Sequence, residues 1–502
     1  MGKKILFLYP NSTNVGVMPL AIGILSTIAK NLRCNVDYFE TSFYRKEGSV
    51  PEERENSGEF KGCSEQGQTD FLPYERLRKD FAAKVAHFKP DILAVTANSV
   101  EFEKFEEIVD GAGVFSPKPF VIVGGVHPTV APEEVLENSF IDALCRGEGE
   151  KAWEDFLARF IHHQDFSDIN NLWVKTQSGI KKNPMGPLIK EDKLWERPLD
   201  YSFFDKRHFT APFDGKIYHR GQIESSRGCP FVCTYCANTA FKKLYKGLGK
   251  FVRVRPFDNL VEAIGKQVEM GSQMLQFQDE CFLNIPYDYL KDFCKWYGEK
   301  VRLPMMIQTR PESVTEKKMK LFADMNSPVQ ISCGIESGSE RILYEICNRR
   351  TKLHQIREAF DIIKKYNIRT TGYTMIGFPT ETREEVFQTI SFIRGLDLDI
   401  SIMSMFYPFT GTPLRDFCIE NGYITGKENT ADFTEPSILK NQPMTPMEVY
   451  NIRRVYSLYT RLPKEYFSKI QLCEKDFDNN EALYNDLISL MYTSYYKSWT
   501  LN

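Results

Sequence analysis

The sequence predicts an α/β protein built from a doubly wound parallel sheet, a partial (β/α)6 barrel and a small helical C-terminal cap. Strand and helix patterns alternate over residues 1–160 and again over residues 220–410, whereas residues 431–502 are mostly helical in pattern and rich in Tyr. Strands that alternate with helices form parallel sheets with helical crossovers. We therefore expect a first domain over residues 1–160, a linker over 161–212, a barrel over 213–430 and a cap over 431–502.

The composition is that of an ordinary globular protein without a strong net charge. The chain has 502 residues, of which 42% are hydrophobic and 26% charged, and its 64 basic and 67 acidic residues give a net charge of −3. A charge so near zero argues against binding nucleic acid or an anionic membrane through the overall field. No apolar run reaches the roughly 18 residues of a membrane span. Because no signal peptide is recognised either, we expect a cytoplasmic protein whose 12 cysteines do not form a disulfide framework.

The first domain is expected to hold five parallel strands. Its opening apolar run, Ile5–Tyr9, is typical of a strand buried on both faces, and Pro19–Ala29 indicates a helix that starts at Pro19. Sheets of this kind bind ligands beyond the carboxyl ends of their strands. The polar, Glu-bearing stretch Lys46–Thr69 is expected to be a surface loop or partly disordered. Further strands are expected at Val36–Phe39, Ile92–Thr96, Phe120–Val123 and Ile141–Cys145, and helices near residues 71–87, 102–110 and 132–138.

Residues 220–410 contain six β/α units, two fewer than a complete barrel. We therefore expect a barrel that is open on one side, with its site at the carboxyl ends of the strands. The strand candidates are Gln222–Ser226, Met274–Gln278, Met305–Thr309, Val329–Gly334, Thr370–Ile376 and Ile400–Phe406. The helical patterns between them are Asp258–Met270, Tyr287–Gly298, Thr315–Met325, Glu340–Tyr366 in two pieces, and Arg383–Arg394.

Three cysteines lie close together directly after the first barrel strand. Cys229, Cys233 and Cys236 have the spacing C-x3-C-x2-C. Thiolates are the usual ligands of iron–sulfur clusters, and three of them would leave one iron of a cubane open for a substrate or cofactor. Zinc is the main alternative, but a structural zinc site normally has four protein ligands, and the nearest plausible fourth is His219. The pattern therefore favours a cluster bound by these three cysteines.

The same loop carries a resemblance to the radical SAM enzymes, whose signature is C-x3-C-x-aromatic-C. Tyr235 stands at the aromatic position. Segments rich in glycine and polar residues, similar to those of the family, follow the later strands as well. They are Gln278–Phe282, Gln308–Arg310, Gly334–Glu340, Gly377–Thr382 and Tyr407–Leu414. The resemblance implies a 4Fe-4S cluster on the three cysteines and S-adenosyl-L-methionine (SAM) beside it.

The resemblance also implies roles for single residues around SAM. Tyr235 would contact the adenine, and Glu336 would contact SAM near its amino group or ribose. Arg310 would bind the SAM carboxylate or a substrate anion. Gly377 and Pro379 would shape the wall near the adenine. Two acidic residues, Asp279 and Glu280, either face the substrate or mark a solvated strand end.

A second resemblance concerns the first domain. GGVHPT from Gly124, followed by PEE and then GEGE from Gly147, resembles the cobalamin-binding, flavodoxin-like domain fused in front of many radical SAM enzymes. Together the two resemblances cover roughly residues 1–415. The cobalt-ligating motif D-x-H-x-x-G is absent from the sequence, so His127 is interpreted as a wall or turn residue, and cobalamin is expected with its own base displaced. The candidate pocket residues, all near predicted strand ends, are Ser12, Asn98, Ser99, Gly124, Gly125 and Gly147.

These resemblances imply a cobalamin-dependent radical SAM enzyme. The leading hypothesis is a methyltransferase that acts on an unactivated carbon through a 5′-deoxyadenosyl radical. One alternative is a cyclase or rearrangement enzyme similar to the porphyrin-ester cyclases. Another, of a different class, is an iron–sulfur or corrinoid carrier or sensor. The SAM-like segments at Glu336 and Gly377 favour an enzyme, since a carrier needs no SAM pocket.

The expected partners are a small-molecule or peptide substrate and an external one-electron reductant of the flavodoxin or ferredoxin type. Neither nucleic acid nor a membrane span is expected. The basic run Lys242–Arg255 could form a nucleic-acid patch, but the near-neutral chain favours a solvated loop.

Overall fold

The computed structural model of the protein consists of two seven-stranded sheets and a group of C-terminal helices. Its α/β architecture confirms the predicted fold class. No helix among the described residues is long and apolar enough to cross a membrane. The structure describes residues 2–11, 18–45, 54–59, 71–109, 117–202, 204–213, 216–428 and 435–495.

The first sheet contains the five parallel strands that the sequence predicts, followed by an antiparallel pair. Along the chain the strands are β1 (Lys4–Tyr9), β2 (Asn35–Glu40), β3 (Tyr44–Arg45), β4 (Leu72–Pro73), β5 (Ile92–Thr96), β6 (Phe120–Gly124), β7 (Ala143–Cys145), β8 (Leu172–Thr176) and β9 (Gly179–Lys182). The sheet order is β2-β1-β5-β6-β7-β8-β9, while β3 and β4 pair only with each other. The parallel part has the order of flavodoxin-like sheets. The antiparallel strands β8 and β9 extend this sheet from within the predicted linker.

Helices cover both faces of the first sheet. Because successive side chains of a strand point to opposite faces, Phe7 of β1 packs with Trp153 and Phe156 in one cluster, whereas Leu6 packs with Phe81 in the other. The first helix begins at Leu20, one residue after the predicted start, and Pro19 occupies its N-cap position. The helices are α1 (Leu20–Asn31), α2 (Leu77–Phe88), α3 (Ser99–Val109), α4 (Val126–Val130), α5 (Pro132–Glu137), α6 (Glu150–Ile161) and α7 (Glu191–Leu194).

The second sheet is the predicted partial barrel. Its strands are β10 (Thr210–Phe213), β11 (Lys216–Ile223), β14 (Met274–Phe277), β15 (Met305–Thr309), β16 (Val329–Glu336), β17 (Arg369–Ile376) and β18 (Ile400–Met405), and a separate pair is formed by β12 (Ser226–Arg227) and β13 (Arg253–Val254). The strands from β11 to β18 in this sheet are parallel, and β10 pairs antiparallel with β11 at the edge. The strand predicted at Gln222–Ser226 is β11, which runs from Lys216 to Ile223. It ends before Ser226, because Ser226 pairs with Val254 outside this sheet.

The helices of the barrel alternate with its strands. The apolar faces of the helices between Phe257 and Leu396 join the strands in one core, whereas Leu414 and Cys418 of the last helix belong to a separate cluster. The helices are α8 (Ala237–Leu244), α9 (Phe257–Glu269), α10 (Tyr287–Lys300), α11 (Glu316–Asp324), α12 (Leu353–Lys365), α13 (Arg383–Leu396) and α14 (Pro413–Glu420). Single turns of 3-10 helix lie at Tyr74–Arg76, Lys206–Phe209, Phe282–Asn284 and Pro311–Ser313, and a π-helical turn lies at Ile342–Ile346.

The predicted helical cap closes the edge of the barrel beside β18. Its first helix packs against β18 and α13, and its Tyr456 hydroxyl is hydrogen-bonded to Ser401 of β18. Thr445 and Glu448 form a capping box at the start of this helix. The cap consists of α15 (Pro446–Arg461), α16 (Phe467–Lys475) and α17 (Glu481–Leu490), with 3-10 turns at Lys464–Tyr466 and Asp478–Asn480 and a π-helical turn at Met491–Tyr495.

One described part of the predicted surface loop is buried against this cap. The segment 54–59 lies in the middle of Lys46–Thr69, and its Glu59 carboxylate is fully buried 3.6 Å from Arg453 of α15. The Tyr484 hydroxyl of α17 donates to the Asn56 carbonyl, 2.6 Å away. For residues 54–59 the expectation of a surface loop is therefore wrong, and the rest of the stretch lies outside the described residues.

Candidate active site

A cavity of about 430 Å³ lies between the two sheets and is mostly apolar. Strand ends and helices of the first sheet line one side, and the segment before Cys229 lines the other. Three candidate glycines line it. They are Gly124, Gly125 and Gly147. Other lining residues include Phe7, Leu25, Cys145, Glu148, Glu150, Trp153, Arg227, Gly228, Tyr245, Arg253 and Glu280.

Two of these glycines occupy positions that no other residue would fit. Gly125 has φ +108°, and a Cβ there would lie 2.6 Å from the Ala97 carbonyl oxygen. Gly147 has φ +70°, and a Cβ there would lie 2.0 Å from the Tyr245 hydroxyl. Both positions therefore need glycine, for conformation and for space. A Cβ at Gly124 would meet nothing closer than 3.9 Å, so its missing side chain leaves room in the cavity.

The structure places three other candidates outside the lining of this cavity. Asn98 caps α3, since its Oδ1 accepts from the Glu101 N–H while Glu101 accepts from the Asn98 N–H. Ser99 is hydrogen-bonded to His127 Nδ1, 3.1 Å away, and the His127 ring stacks on Phe102. Burial lowers the pKa of His127 to about 4, so this ring is neutral at physiological pH. Ser12 lies outside the described residues.

The cysteine loop is anchored to the π-helical turn of the barrel. The Thr234 N–H donates to the Cys347 carbonyl at 3.2 Å, and the Thr234 hydroxyl donates to the Ile346 carbonyl. This anchoring holds Cys233 in a buried position, while Cys229 and Cys236 on either side are half-buried.

The three thiols are close enough to influence each other electrostatically. Burial raises the pKa of Cys229 to about 12, and negative charge on Cys281, Cys236 and Cys233 adds to that rise. A bound metal centre would remove this mutual repulsion, because a coordinating thiol is deprotonated. No group of three or more His, Cys, Asp or Glu around a single metal-ion position is found in the part of the chain that the structure describes. The donor chemistry, thiols supplied by one short loop, fits an iron–sulfur cluster.

Arg310 lies directly against this loop. Its Nη1 donates to Cys233 Sγ at 3.3 Å, and its guanidinium lies 3.7 Å from the centre of the Phe231 ring. Glu312 forms an ion pair with it. Arg310 therefore already has a carboxylate partner and places a positive charge beside the buried thiol.

A further arginine, Arg349, which is not predicted from the sequence, is buried and holds Glu336. Arg349 Nη1 donates to Glu336 Oε1 at 2.7 Å, and Glu312 lies 3.6 Å from Arg349 Nη2. Only 1% of the Arg349 side chain is exposed, and its Nε and Nη2 have no hydrogen-bond partner. Glu336 itself has φ +67°, which is uncommon for a residue with a side chain. The structure thus brings Glu336 to the cysteine loop in a fixed, strained position.

Tyr235 and the segment after β17 complete this side of the site. The Tyr235 ring lies edge-on to Phe378 at 6.4 Å, and burial and then Glu336 raise the pKa of its hydroxyl. Gly377, with φ +83°, donates its N–H to Glu381 at 2.7 Å, and Pro379 is buried beside it. Tyr235, which belongs to the cysteine loop, thus lies close to Glu336 and to Phe378, the residue between Gly377 and Pro379.

The two acidic candidates after β14 differ in their surroundings. Asp279 is buried and accepts hydrogen bonds from the Ser225 N–H and hydroxyl and from the Ser226 hydroxyl. Burial raises the pKa of Asp279 to about 7. Glu280 lines the cavity and accepts from the Gly228 N–H at 3.2 Å. Asp279 is thus not a solvated strand end, and Glu280 is the one of the pair that faces the cavity.

Comparisons with known proteins agree with this division of the chain. Residues 223–393 match the Radical SAM superfamily, and residues 61–157 match the B12 binding domain. An uncharacterized methyltransferase of Pyrococcus horikoshii is 27% identical over 399 residues, which are 79% of this chain and 84% of that protein.

Two further similarities concern another enzyme and a solved structure. The anaerobic magnesium-protoporphyrin IX monomethyl ester cyclase of Cereibacter sphaeroides is 26% identical over 69% of this chain, which spans about half of that protein (55%). The structure of the radical S-adenosylmethionine methyltransferase TsrM from Kitasatospora setae, with cobalamin and a 4Fe-4S cluster bound, superposes with a TM-score of 0.64 at 16% identity. The match covers 93% of this chain and 82% of that one. The likeness to TsrM shows that the two chains share a fold.

Proposed function

The chain belongs to the radical SAM enzymes that carry a B12-binding domain, and we propose that it transfers a methyl group to an unactivated carbon of a small-molecule or peptide substrate. The observation that carries the proposal is that residues of both sheets line one shared cavity. Gly124, Gly125 and Gly147 line it from the first sheet, and Gly228, the neighbour of Cys229, lines it from the second. A substrate in this cavity would therefore have the B12-binding sheet on one side and the segment before the cysteine loop on the other.

Each cofactor has a group of residues that would hold it. Cys229, Cys233 and Cys236 would bind the 4Fe-4S cluster. Tyr235, Arg310, Glu336, Gly377 and Pro379 would contact SAM. Gly124, Gly125 and Gly147 would let cobalamin approach the backbone of the first sheet. When bound, these groups supply a 5′-deoxyadenosyl radical and a methyl group.

The chain's own residues position these groups and exclude water. Arg310 places its guanidinium against Cys233 and so offsets the negative charge of a thiolate. Arg349 fixes the Glu336 carboxylate through a buried hydrogen bond. Apolar side chains such as Phe7, Leu25 and Trp153 make up much of the cavity wall and keep solvent away from a reactive intermediate.

Asn98, Ser99 and His127 support the cavity from behind in this proposal. Asn98 fixes the start of α3, and the Ser99–His127 hydrogen bond ties that helix to α4 just after Gly125. His127 is stacked on Phe102 and neutral, which supports a structural role for it and not a role as cobalt ligand.

The deciding experiment is anaerobic turnover with methyl-labelled SAM against candidate substrates. A methyltransferase of this kind should place the label in the product and form 5′-deoxyadenosine and S-adenosylhomocysteine in about equal amounts. Mass spectrometry measures all three species. Cys233→Ala should lose both iron and SAM cleavage and serves as the negative control.

A cyclase is the second candidate, because the similarity to the porphyrin-ester cyclase covers 69% of this chain. Formation of 5′-deoxyadenosine with no methylated product and no S-adenosylhomocysteine would favour the cyclase over the methyltransferase. The cysteine loop and its arginines would serve either reaction.

We also propose a docking surface for the external one-electron reductant beside the cysteine loop. Val232 of this loop is 44% exposed, and Lys242 Nζ donates to the Pro230 carbonyl of the same loop. Lys243 and Lys246 are exposed close by. An exposed apolar residue next to basic side chains suits an acidic electron carrier, because opposite charges speed the encounter.

A further inference from the structure

A network of charged side chains joins the two sheets at the wall of the cavity. Glu148 and Glu150 follow β7 of the first sheet, whereas Arg227 and Arg253 pair with each other in the two-stranded sheet before Cys229. Arg253 binds Glu148 with both of its terminal nitrogens, at 2.5 and 3.0 Å. Arg227 Nη1 donates to Glu150 Oε1 at 2.7 Å and, more weakly, to Glu148 Oε1 at 3.4 Å. The first domain thus holds both arginines through carboxylates.

A third carboxylate, Glu224, binds the other edge of Arg227. Arg227 Nε and Nη2 donate to the two Glu224 oxygens at 3.0 and 3.1 Å, and the Trp195 Nε1–H donates to Glu224 Oε2 at 2.8 Å. The Ile189 N–H donates to Glu148 Oε2 at 3.2 Å, so the connection between the sheets also binds Glu148. Arg227 is therefore held between carboxylates of the two sheets.

The charged network is buried, and burial limits how much it can contribute to stability. The side chains of Arg253 and Glu148 are 3% and 12% exposed. Burial would raise the pKa of Glu150, but the Arg227 guanidinium outweighs burial and holds it below its ordinary value. Replacing such pairs by apolar residues is often neutral for stability, whereas removal of one partner is costly. The distinctive property of paired Arg–carboxylate contacts is their fixed geometry.

A short, stiff segment connects Arg227 of this network to the cysteine loop. Only Gly228 separates Arg227 from Cys229. Gly228 has φ +93°, a Cβ there would lie 2.3 Å from the Phe251 carbonyl oxygen, and its N–H is held by Glu280. A displacement of Arg227 is therefore transmitted to the first cysteine.

We propose that Glu148 is a positioning residue whose clamp on Arg227 and Arg253 sets the cysteine loop at a fixed distance and orientation from the B12-binding sheet. This inference rests on the proposed function, because it assigns the clamp the task of making radical formation and methyl transfer act on the same substrate. The nearby pair of Lys151 and Asp155 on α6 lies within one helix and offers a matched control.

The first test uses the full chain without cofactors and compares Glu148→Gln with Asp155→Asn by hydrogen–deuterium exchange. In Glu148→Gln, amides of residues 187–190 and 224–229 should exchange faster. The Ile189 N–H and the Arg253 side chain lose their charged partner, and Arg227, which pairs with Arg253, keeps only Glu150 and Glu224. Asp155→Asn should leave both segments unchanged. Unchanged exchange in Glu148→Gln would overturn the clamp.

The second test uses the loaded enzyme and measures 5′-deoxyadenosine formed per methylated product. Glu148→Gln should keep its iron and cobalamin content, while this ratio rises about tenfold, because misplacement of reacting groups slows their reaction. A ratio equal to that of the parent enzyme would also overturn the clamp. If the parent itself forms no methylated product, the proposed methyl transfer has failed, and the exchange experiment still decides on the clamp.

A second variant covers the case that Glu148→Gln does not fold. Arg253→Lys keeps the positive charge but loses the two-pronged contact to Glu148. It should show the same two changes to a smaller extent. Wild-type exchange and product ratio in Arg253→Lys would count against the geometric role.

Discussion

Glu101 on α3 is a buried carboxyl group whose charge opposes folding. Burial raises its pKa from an ordinary value of 4.5 to about 7, although the Asn98 N–H and the Tyr9 hydroxyl donate to it. The folded protein keeps the proton at pH values where the unfolded chain has lost it. The free energy of unfolding therefore falls as the pH rises from about 4.5 to about 7.

Glu101→Gln should remove this pH dependence, because an amide does not titrate. The stability of the variant relative to the parent protein should rise by about 2.5 kcal/mol from pH 5 to pH 8. Urea unfolding at both pH values measures the gain. Glu106→Gln, a half-buried position on the same helix, is the control and should show no such gain. An equal difference between Glu101→Gln and the parent at both pH values would show that the proton is not taken up.

Single residues of the site differ in how well sequence predicts them. Gly125 and Gly147 could be predicted to line the cavity, because a glycine at a strand end signals close approach of the backbone. The positions of Asn98 and Ser99 outside the cavity lining could not be predicted, since the turn after each strand decides which side a residue faces. The contact of Arg349 with Glu336 could not be predicted, because only the folding of β16 and the π-helical turn brings the two residues together.

At the scale of elements, the segment after the cysteine loop shows that one run of basic residues can be partly exposed and partly buried. The sequence predicts the basic run Lys242–Arg255 as a solvated loop, but the structure divides it. Lys243 and Lys246 are exposed near the loop, whereas Arg253 is buried in the contact with Glu148. Net charge cannot reveal this division, because it depends on carboxylates of another domain.

Reversal of the charges of the exposed residues Lys243 and Lys246 should slow electron transfer from the reductant to the cluster. Lys243→Glu combined with Lys246→Glu should reduce the rate at which a flavodoxin reduces the cluster by about tenfold at low salt. Dithionite, a small reductant, should act at the parent rate, and absorbance of the cluster follows both reactions. Lys300→Glu, at the end of α10 and so at the opposite end of the barrel, is the control. Equal rates with flavodoxin for all proteins would place the reductant elsewhere.

The sheets themselves were largely predictable, since all five parallel strands of the first sheet and the six parallel strands of the barrel follow from strand–helix alternation. The contact of residues 54–59 with the cap was not. A polar stretch with glycine is typical of a loop, and its partner Arg453 lies in a distant part of the sequence. Only the assembled molecule shows that this stretch is part of the core.

The buried pair Glu59–Arg453 predicts how strongly the first domain and the cap depend on each other. Glu59→Gln should destabilise the whole protein by about 3–5 kcal/mol, because Arg453 would keep a buried charge with a weakened partner. Thermal unfolding measures the loss, and Glu55→Gln at an exposed position of the same segment is the control. The double variant Glu59→Leu with Arg453→Met should recover most of the loss. Full stability of Glu59→Gln alone would contradict the buried ion pair.

The contact between segment 54–59 and the cap also has a consequence for the time course of biosynthesis. Asn56 and Tyr484, which share a hydrogen bond, are 428 positions apart. At about 5–20 residues per second, the ribosome needs roughly 20–90 s to reach Tyr484 after Asn56 has been made. During that interval the Glu59 carboxylate can meet Arg54 of its own segment but not Arg453. Segment 54–59 therefore completes its contacts only after the cap has left the ribosome.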